Sequence, residues 1–373
     1  MIKAAISGTG LYTPSESISN EELVECFNTY VQNFNATNAE KIEKGELDPL
    51  QESSAAFIEK ASGIKSRYVM NKSGILDPEI MHPLLPERSN DEPSILCEMA
   101  VAAAKDALKN ANRSVEDIDA VIVACSNLQR AYPAVSVEVQ HYLGVEGFAY
   151  DMNVACSSAT FGLQAALNAV QTGSAKAVLL INPEICTAHL NFRDRDSHFI
   201  FGDVCTAVVV EREDNLATDD SFEVISAKLM TKFSNNIRNN FGFLNRTAPG
   251  SENSPDKLFV QQGRKVFKEV SPLVAKMISA HLEENNFTAN DLKQMWLHQA
   301  NLSMNQLIAK RVFGRPVEEN EAPVILDEYA NTSSAGSVIA FHKHRKDLKS
   351  GDVGVICSFG AGYSVGNIIL KKQ

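Results

Sequence analysis

Residues 114–127, SVEDIDAVIVACSN, and residues 288–301, TANDLKQMWLHQAN, set down one pattern twice. Each opens with a hydroxyl residue three positions before an Asp, the mark of a capped acidic turn. Each then runs through an apolar stretch of strand length and stops at a polar residue followed closely by Asn. Two further pairs repeat in the same order: VACSSATFG (154–162) with YANTSSAGS (329–337), and FGDVCTAVVV (201–210) with FGAGYSVGNIIL (359–370). Three matches in register predict two copies of a strand-helix unit, residues 1–215 and 216–373, each leading its strands to a shared cleft.

The intervening sequence fits an α/β class. ILCEMAVAAAKDALKNA (95–111) has the spacing of an amphipathic helix and feeds the buried strand of the first repeat. AKAVLLINPE (175–184) and GDVGVICSFG (351–360) are short apolar runs bounded by Gly, Pro or Asp, as strands of a parallel sheet are. Residues from about 28 to 93 differ, being polar and broken by Pro49, Pro78, Pro83, Pro86 and Pro93. They read as a helical and loop excursion over the cleft rather than a separate domain.

Composition narrows the function. A chain of 373 residues, 44% hydrophobic, can bury a large core. Its formal charge of −11 argues against sequence-independent nucleic-acid binding, which needs a basic face. No apolar run approaches 18 residues and Met1–Gly10 lacks a signal-peptide pattern, so no membrane insertion and a cytoplasmic location are expected. Seven cysteines without metal-type pairs fit reduced thiols. No spacing among them or the eight histidines predicts a metal.

Cys156 stands among small residues at an expected turn into a helix, where terminal amides and the helix dipole favour thiolate. His298 follows the apolar stretch of the second repeat, and Asn331 stands at another turn into a small-residue helix. Singly, these are ordinary core or capping residues. Together they supply a nucleophile, a base or donor and an orienting amide.

VACSSA around Cys156, LHQANL around His298, ANTSSAG around Asn331 and the closing SFGAGYSVGNIIL resemble the motifs of β-ketoacyl-acyl-carrier-protein synthase III, a condensing enzyme of the thiolase superfamily. ISGTGLYTP, SGIKSR, RAYPA, FGDVCTA and VFKEV follow in the family's order, so the resemblance spans nearly the whole chain. It implies a duplicated five-layer α/β/α/β/α sandwich and a homodimer. It also implies acyl-CoA and malonyl-acyl-carrier protein as substrates, with no cofactor beyond the coenzyme A thioester itself. In that scheme Cys156 takes the acyl group, backbone amides of Cys156 and of the turn Phe359-Gly360-Ala361-Gly362 hold the oxyanion, and His298 with Asn331 stabilises the malonyl enolate. Phe359 lines the site of the departing carboxylate. Lys268, Lys310 and Arg311 are the implied carrier-protein docking residues, and Tyr132 the residue that enters the partner's acyl tunnel.

The chain departs from the family pattern at several points. Phe57 and Ala61 replace a Trp and an Arg that grip coenzyme A, and Ser303 replaces the Arg of HQANLR. Ala361 replaces an oxyanion-loop glycine, and Ser157-Ser158 replaces the glycine-rich turn after the cysteine. The altered coenzyme grip and the long excursion favour a medium-chain primer over acetyl-CoA. Two alternatives stay open: acyl transfer without decarboxylation, and a non-catalytic dimer partner of an active paralogue.

Overall fold

The computed structural model describes residues 2–251 and 254–373. In chain order the first half comprises β1 (Ala4–Tyr12), α1 (Asn20–Thr37), α2 (Ala55–Ser62), α3 (Ile95–Ala111), β2 (Ala120–Ala124), α4 (Val135–Leu143), β3 (Phe148–Met152), α5 (Ser158–Gln171), β4 (Ala177–Ile185) and β5 (Asp203–Arg212). The second comprises β6 (Phe222–Thr231), α6 (Gly263–Glu284), β7 (Leu292–Leu297), α7 (Leu302–Phe313), α8 (Ala335–His344), β8 (Val353–Gly360) and β9 (Ser364–Lys372).

The strand order is β1-β5-β4-β2-β3 in the first half and β6-β9-β8-β7 in the second. In each, the first two contacts are antiparallel and the remainder parallel. The sequence repeat is therefore a repeat of topology, down to its turns: Ser114 N–H bonds Asp117 Oδ2 at 2.9 Å and Thr288 N–H bonds Asp291 Oδ2 at 2.8 Å. Among the described residues the two halves meet within the sheet at Ala5–Glu223 and Ile6–Phe222, through β1 and β6, which makes one nine-stranded sheet.

Among the described residues the second copy has no strand to match β3; the irregular segment 321–325 lies beside β7 instead, held by Gln299, whose Nε2 donates to the Leu297 carbonyl at 2.9 Å and whose Oε1 accepts from Ile325 N–H at 3.1 Å. Met295 N–H reaches the Glu321 carbonyl of the same irregular segment.

Strand alternation builds the layers. Ala120, Ile122 and Ala124 of β2 face an inner core, and Val121 and Val123 face an outer one with α3 and α4. In β7, Trp296 turns inward while Met295 and Leu297 meet α6 and α7. α5 and α8 contribute to the inner core, α8 being buried from Ala335 through Phe341 as a helix enclosed on all sides must be. The result is the expected α/β/α/β/α sandwich, with one helix from each half in its middle layer.

The excursion starts earlier than residue 28. Short strands Glu16–Ser19 and Ser66–Val69 pair at its base, and a capping box between Ser19 and Glu22 starts α1. It has its own apolar cluster, in which Phe27, Val31 and Ile58 pack with Phe199 and Phe201 of the main body. Fully buried Arg67 fastens the two by donating to the carbonyls of Ile18 and Phe199 and to Asn20 Oδ1.

Candidate functional site

Cys156 lies in the single turn Ala155–Ser157 that immediately precedes α5. The turn is held by its own polar groups. Asn153 Oδ1 accepts from Ala155 N–H at 2.8 Å, and Ala155 takes a positive φ of 46°, a strained setting for a residue with a Cβ. The two serines that replace glycine are used: Ser158 Oγ accepts from Val154 N–H and donates to the Ala155 carbonyl, while Ser157 Oγ reaches the Ser364 carbonyl of β9.

His298 follows β7, and its N–H continues the parallel ladder to the Cys357 carbonyl at 2.8 Å. Its ring is buried and meets that of Phe359 edge-on at 5.3 Å. Asn331 precedes α8. Its N–H bonds the Ile200 carbonyl and its carbonyl accepts from Gly202 N–H. Ser333 N–H donates to Asn331 Oδ1 at 2.8 Å, which fixes the amide flip and leaves Nδ2 as an uncommitted donor. Ala330 and Ser333 hold positive φ of 56° and 51° on either side.

These three side chains line one cavity of about 680 Å³, together with Phe57, Phe359 and Lys268. Ser333 Oγ lies 3.6 Å from Cys156 Sγ. Gly360 must be glycine, since a Cβ there would come within 2.5 Å of Cys156 Cβ and 3.0 Å of Sγ. Of the oxyanion turn, only Gly362 needs the left-handed region, at φ 94°, so Ala361 is accommodated without strain.

Burial dominates the electrostatics. It pushes the Cys156 thiol up to about 11, against the lowering influence of the Ser333 hydroxyl and the backbone N–H groups of Ala361 and Cys156. The expectation that the helix start favours thiolate is thus reversed in the free enzyme, because desolvation outweighs the local dipoles. Burial likewise holds His298 down at about 4. Its imidazole is neutral at pH 7, with one N–H to donate and one lone pair.

His189, His198 and His281 are also lowered to about 4 by burial. Below about pH 6.5 an unfolded chain protonates these four rings while the native chain does not, so native stability falls as pH falls. Glu184 and Asp203, raised by burial to about 7 and about 6, act in the opposite sense because the native chain protonates them first. Burial lowers His342 in the same sense, so five rings stand against two carboxyls and native stability falls on balance between about pH 6 and 4.5. Thermal melts should therefore show the melting temperature dropping over that interval, and a rise would contradict the burial of these rings.

The other predicted residues divide. Phe57 is half-buried in the cavity wall, and Lys268 is exposed on α6 beside it. Lys310 and Arg311 are exposed in the last turn of α7 and do not line the cavity, which Asn301 and Met304 at the start of that helix do. Exposed Ser303 offers no charge there. Tyr132 is 85% exposed and lies outside its own chain's cavity.

Sequence reasoning missed Ser333, which looked like helix-start filler, and Arg195 and Arg264. The Arg195 guanidinium lies 4.3 Å over the Phe57 ring, and Arg264 lines the cavity with Phe57. Positive charge absent at Ala61 is thus present from other elements. Among the described residues no group of three or more His, Cys, Asp or Glu is placed to hold a metal.

Two family models match the chain, 3-oxoacyl-[acyl-carrier-protein] synthase III over residues 150–232 and its C-terminal region over residues 282–372. A β-ketodecanoyl-[acyl-carrier-protein] synthase of Pseudomonas aeruginosa is 66% identical over 350 residues, covering 94% of this chain and 100% of that protein. A β-ketoacyl-[acyl-carrier-protein] synthase III of Granulibacter bethesdensis is 28% identical over 100% of both chains. The crystal structure of 3-oxoacyl-[acyl-carrier-protein] synthase III from Aquifex aeolicus superposes with a TM-score of 0.76 at 24% identity, covering 99% of each chain.

Proposed function

Because the chain belongs to the 3-oxoacyl-[acyl-carrier-protein] synthase III family of thiolase-superfamily condensing enzymes, we propose that it joins an acyl-CoA primer to malonyl-acyl-carrier protein with loss of carbon dioxide. The observation that carries this reading is the convergence of Cys156, a neutral His298 and a pre-oriented Asn331 amide on one cavity. Cys156 Sγ attacks the thioester carbonyl, its proton leaves with the coenzyme A thiol, and the backbone N–H groups of Cys156 and Ala361 hold the oxyanion. Malonyl-carrier protein then loses carbon dioxide, and its enolate oxygen accepts from the His298 N–H and Asn331 Nδ2. A neutral imidazole suits that donation better than it suits proton abstraction. The enolate carbon attacks the acyl-Cys156 carbonyl, releasing β-ketoacyl-carrier protein and a thiolate that takes up the one proton the decarboxylation consumes.

A β-ketodecanoyl product contains an eight-carbon primer plus two carbons, and the relative so named is 66% identical to this chain. We therefore assign octanoyl-CoA, a medium-chain thioester, as the primer, with Phe57, Arg195 and Arg264 near the coenzyme. Intact-protein mass spectrometry with acyl-CoAs of about two to twelve carbons checks the assignment. Octanoyl should give the fullest adduct on Cys156, and malonyl-carrier protein should discharge it with release of carbon dioxide. Labelling by acetyl-CoA alone would withdraw the primer, discharge without carbon dioxide would indicate plain acyl transfer, and no adduct with any acyl-CoA would favour a non-catalytic partner.

The carrier protein, acidic as a class, is placed at exposed Lys268 and Arg264, with Lys310 and Arg311 further along α7. No described helix is long and apolar enough to cross a membrane, and the reading places the enzyme in the cytoplasm with its soluble substrates. We propose a homodimer, a reading supported by the free edge of the sheet. β3 ends the strand order, and Phe148, Tyr150, Tyr142 and Tyr132 expose aromatic surface on it, on α4 and just before α4. Pairing of β3 with its copy covers that surface. Sedimentation should give twice the chain mass for the wild type and the single-chain mass for Phe148→Asp/Tyr150→Asp.

A further inference from the structure

Glu184, next to last in β4, carries a carboxylate that is 1% exposed and, among the described residues, contacted by donors. Its Oε1 accepts from Ser126 N–H at 3.0 Å, from Ser334 N–H at 3.2 Å and from the Ser334 hydroxyl. Its Oε2 accepts from the Ser126 hydroxyl and, at 3.8 Å, from the Cys186 thiol. Ser126 follows β2 in the first half, and Ser334 caps α8 in the second. The carboxylate thus bridges the two copies of the repeat at their catalytic ends. A buried carboxyl without a basic partner costs several kcal/mol, and packing alone does not require one. Because Ser126 N–H also reaches Oε2 at 3.3 Å, an amide that kept its oxygen at Oε1 would set its NH₂ against that N–H, so a carboxyl fits the set better than an amide.

The element it fastens is the turn carrying two groups of the site. Ser333 stands between Ser334, which Glu184 holds, and Asn331 Oδ1, which Ser333 N–H holds, and its hydroxyl contacts Cys156 Sγ. We infer that Glu184 is a positioning residue for the decarboxylation step, clamping the 331–334 turn to the end of β2 so that Asn331 Nδ2 meets the enolate oxygen. The inference rests on the proposed condensation and adds a residue outside the reacting set.

A residue acting through Asn331 has a signature that a merely structural residue lacks. Glu184→Gln should slow decarboxylation of malonyl-carrier protein by about 30-fold with little change in KM, and leave acylation of Cys156 by octanoyl-CoA within about 3-fold of wild type. In an Asn331→Ala background the same change should cost less than about 3-fold, because the donor it positions is already gone. Equal loss of both half-reactions, wild-type decarboxylation, or full multiplication of the two defects would each overturn the proposal. If Glu184→Gln does not fold, Ser334→Ala removes one donor and should show the same pattern at about 5-fold. If the wild type itself releases no carbon dioxide, the condensation reading fails instead. The clamp is then judged by iodoacetamide alkylation of Cys156, whose pH midpoint must rise in Ser334→Ala as Ser333 loosens, and an unmoved midpoint overturns it.

Discussion

Cys156→Ala is expected to take no acyl group from any acyl-CoA and to condense at least roughly 10⁴-fold more slowly than wild type, since no other group at the site can carry the covalent intermediate. The nearest hydroxyl, that of Ser333, is 3.6 Å from Sγ and has no base of its own. Cys156 is desolvated by the turn around it but lines the cavity and stays partly accessible, so removing its sulfur only enlarges an existing space and should change stability by about 1 kcal/mol, leaving the melt nearly unmoved. The variant should still decarboxylate malonyl-carrier protein slowly, because His298 and Asn331 remain. Loss of both activities together would mean that the nucleophile and the donors are not separable.

The converse variants separate the steps from the other side. His298→Ala and Asn331→Ala should each form the octanoyl-enzyme and then stall, with decarboxylation down by roughly 10²–10³-fold, the size expected for one missing oxyanion donor. The pair should lose less than the product of the two, since they act on one oxygen. Asn331→Asp is the sharper probe. An oxygen can still accept from Ser333 N–H, so the turn keeps its bond, while the other oxygen presents a lone pair where Nδ2 presented hydrogen. It should fall about as far as Asn331→Ala, and near-normal decarboxylation would remove Asn331 from the donor role.

The duplication was legible because it is written in local chemistry: Ser114 with Asp117 and Thr288 with Asp291 cap equivalent turns, and the strands after them alternate onto two cores. Cys156, His298 and Asn331 were legible because each ends a recognisable segment. What stayed hidden depends on distant partners. The β1–β6 joint rests on two residue pairs with no pattern of their own. Glu184 reads as one acidic residue in an apolar run until Ser126 and Ser334 stand on either side of it. The state of the Cys156 thiol was misjudged because sequence reveals the helix start that lowers a thiol's pKa and not the depth of burial that raises it.

The turns that carry Cys156 and Asn331 each have an alanine at positive φ immediately before that residue, Ala155 and Ala330, and each leads into a helix of the middle layer. Cys156 and Asn331 mounted this way cannot be shifted by one loop without disturbing the layer behind them. Of the departures from the family, Phe57, Ala61 and Ser303 lie on the excursion and at the start of α7, whereas Ala361 and Ser157-Ser158 lie in the turns around Cys156 itself. Change next to the sulfur is absorbed as extra fastening, the two serines tying their turn to backbone groups, whereas change on the excursion and α7 alters what the cavity presents to a visitor.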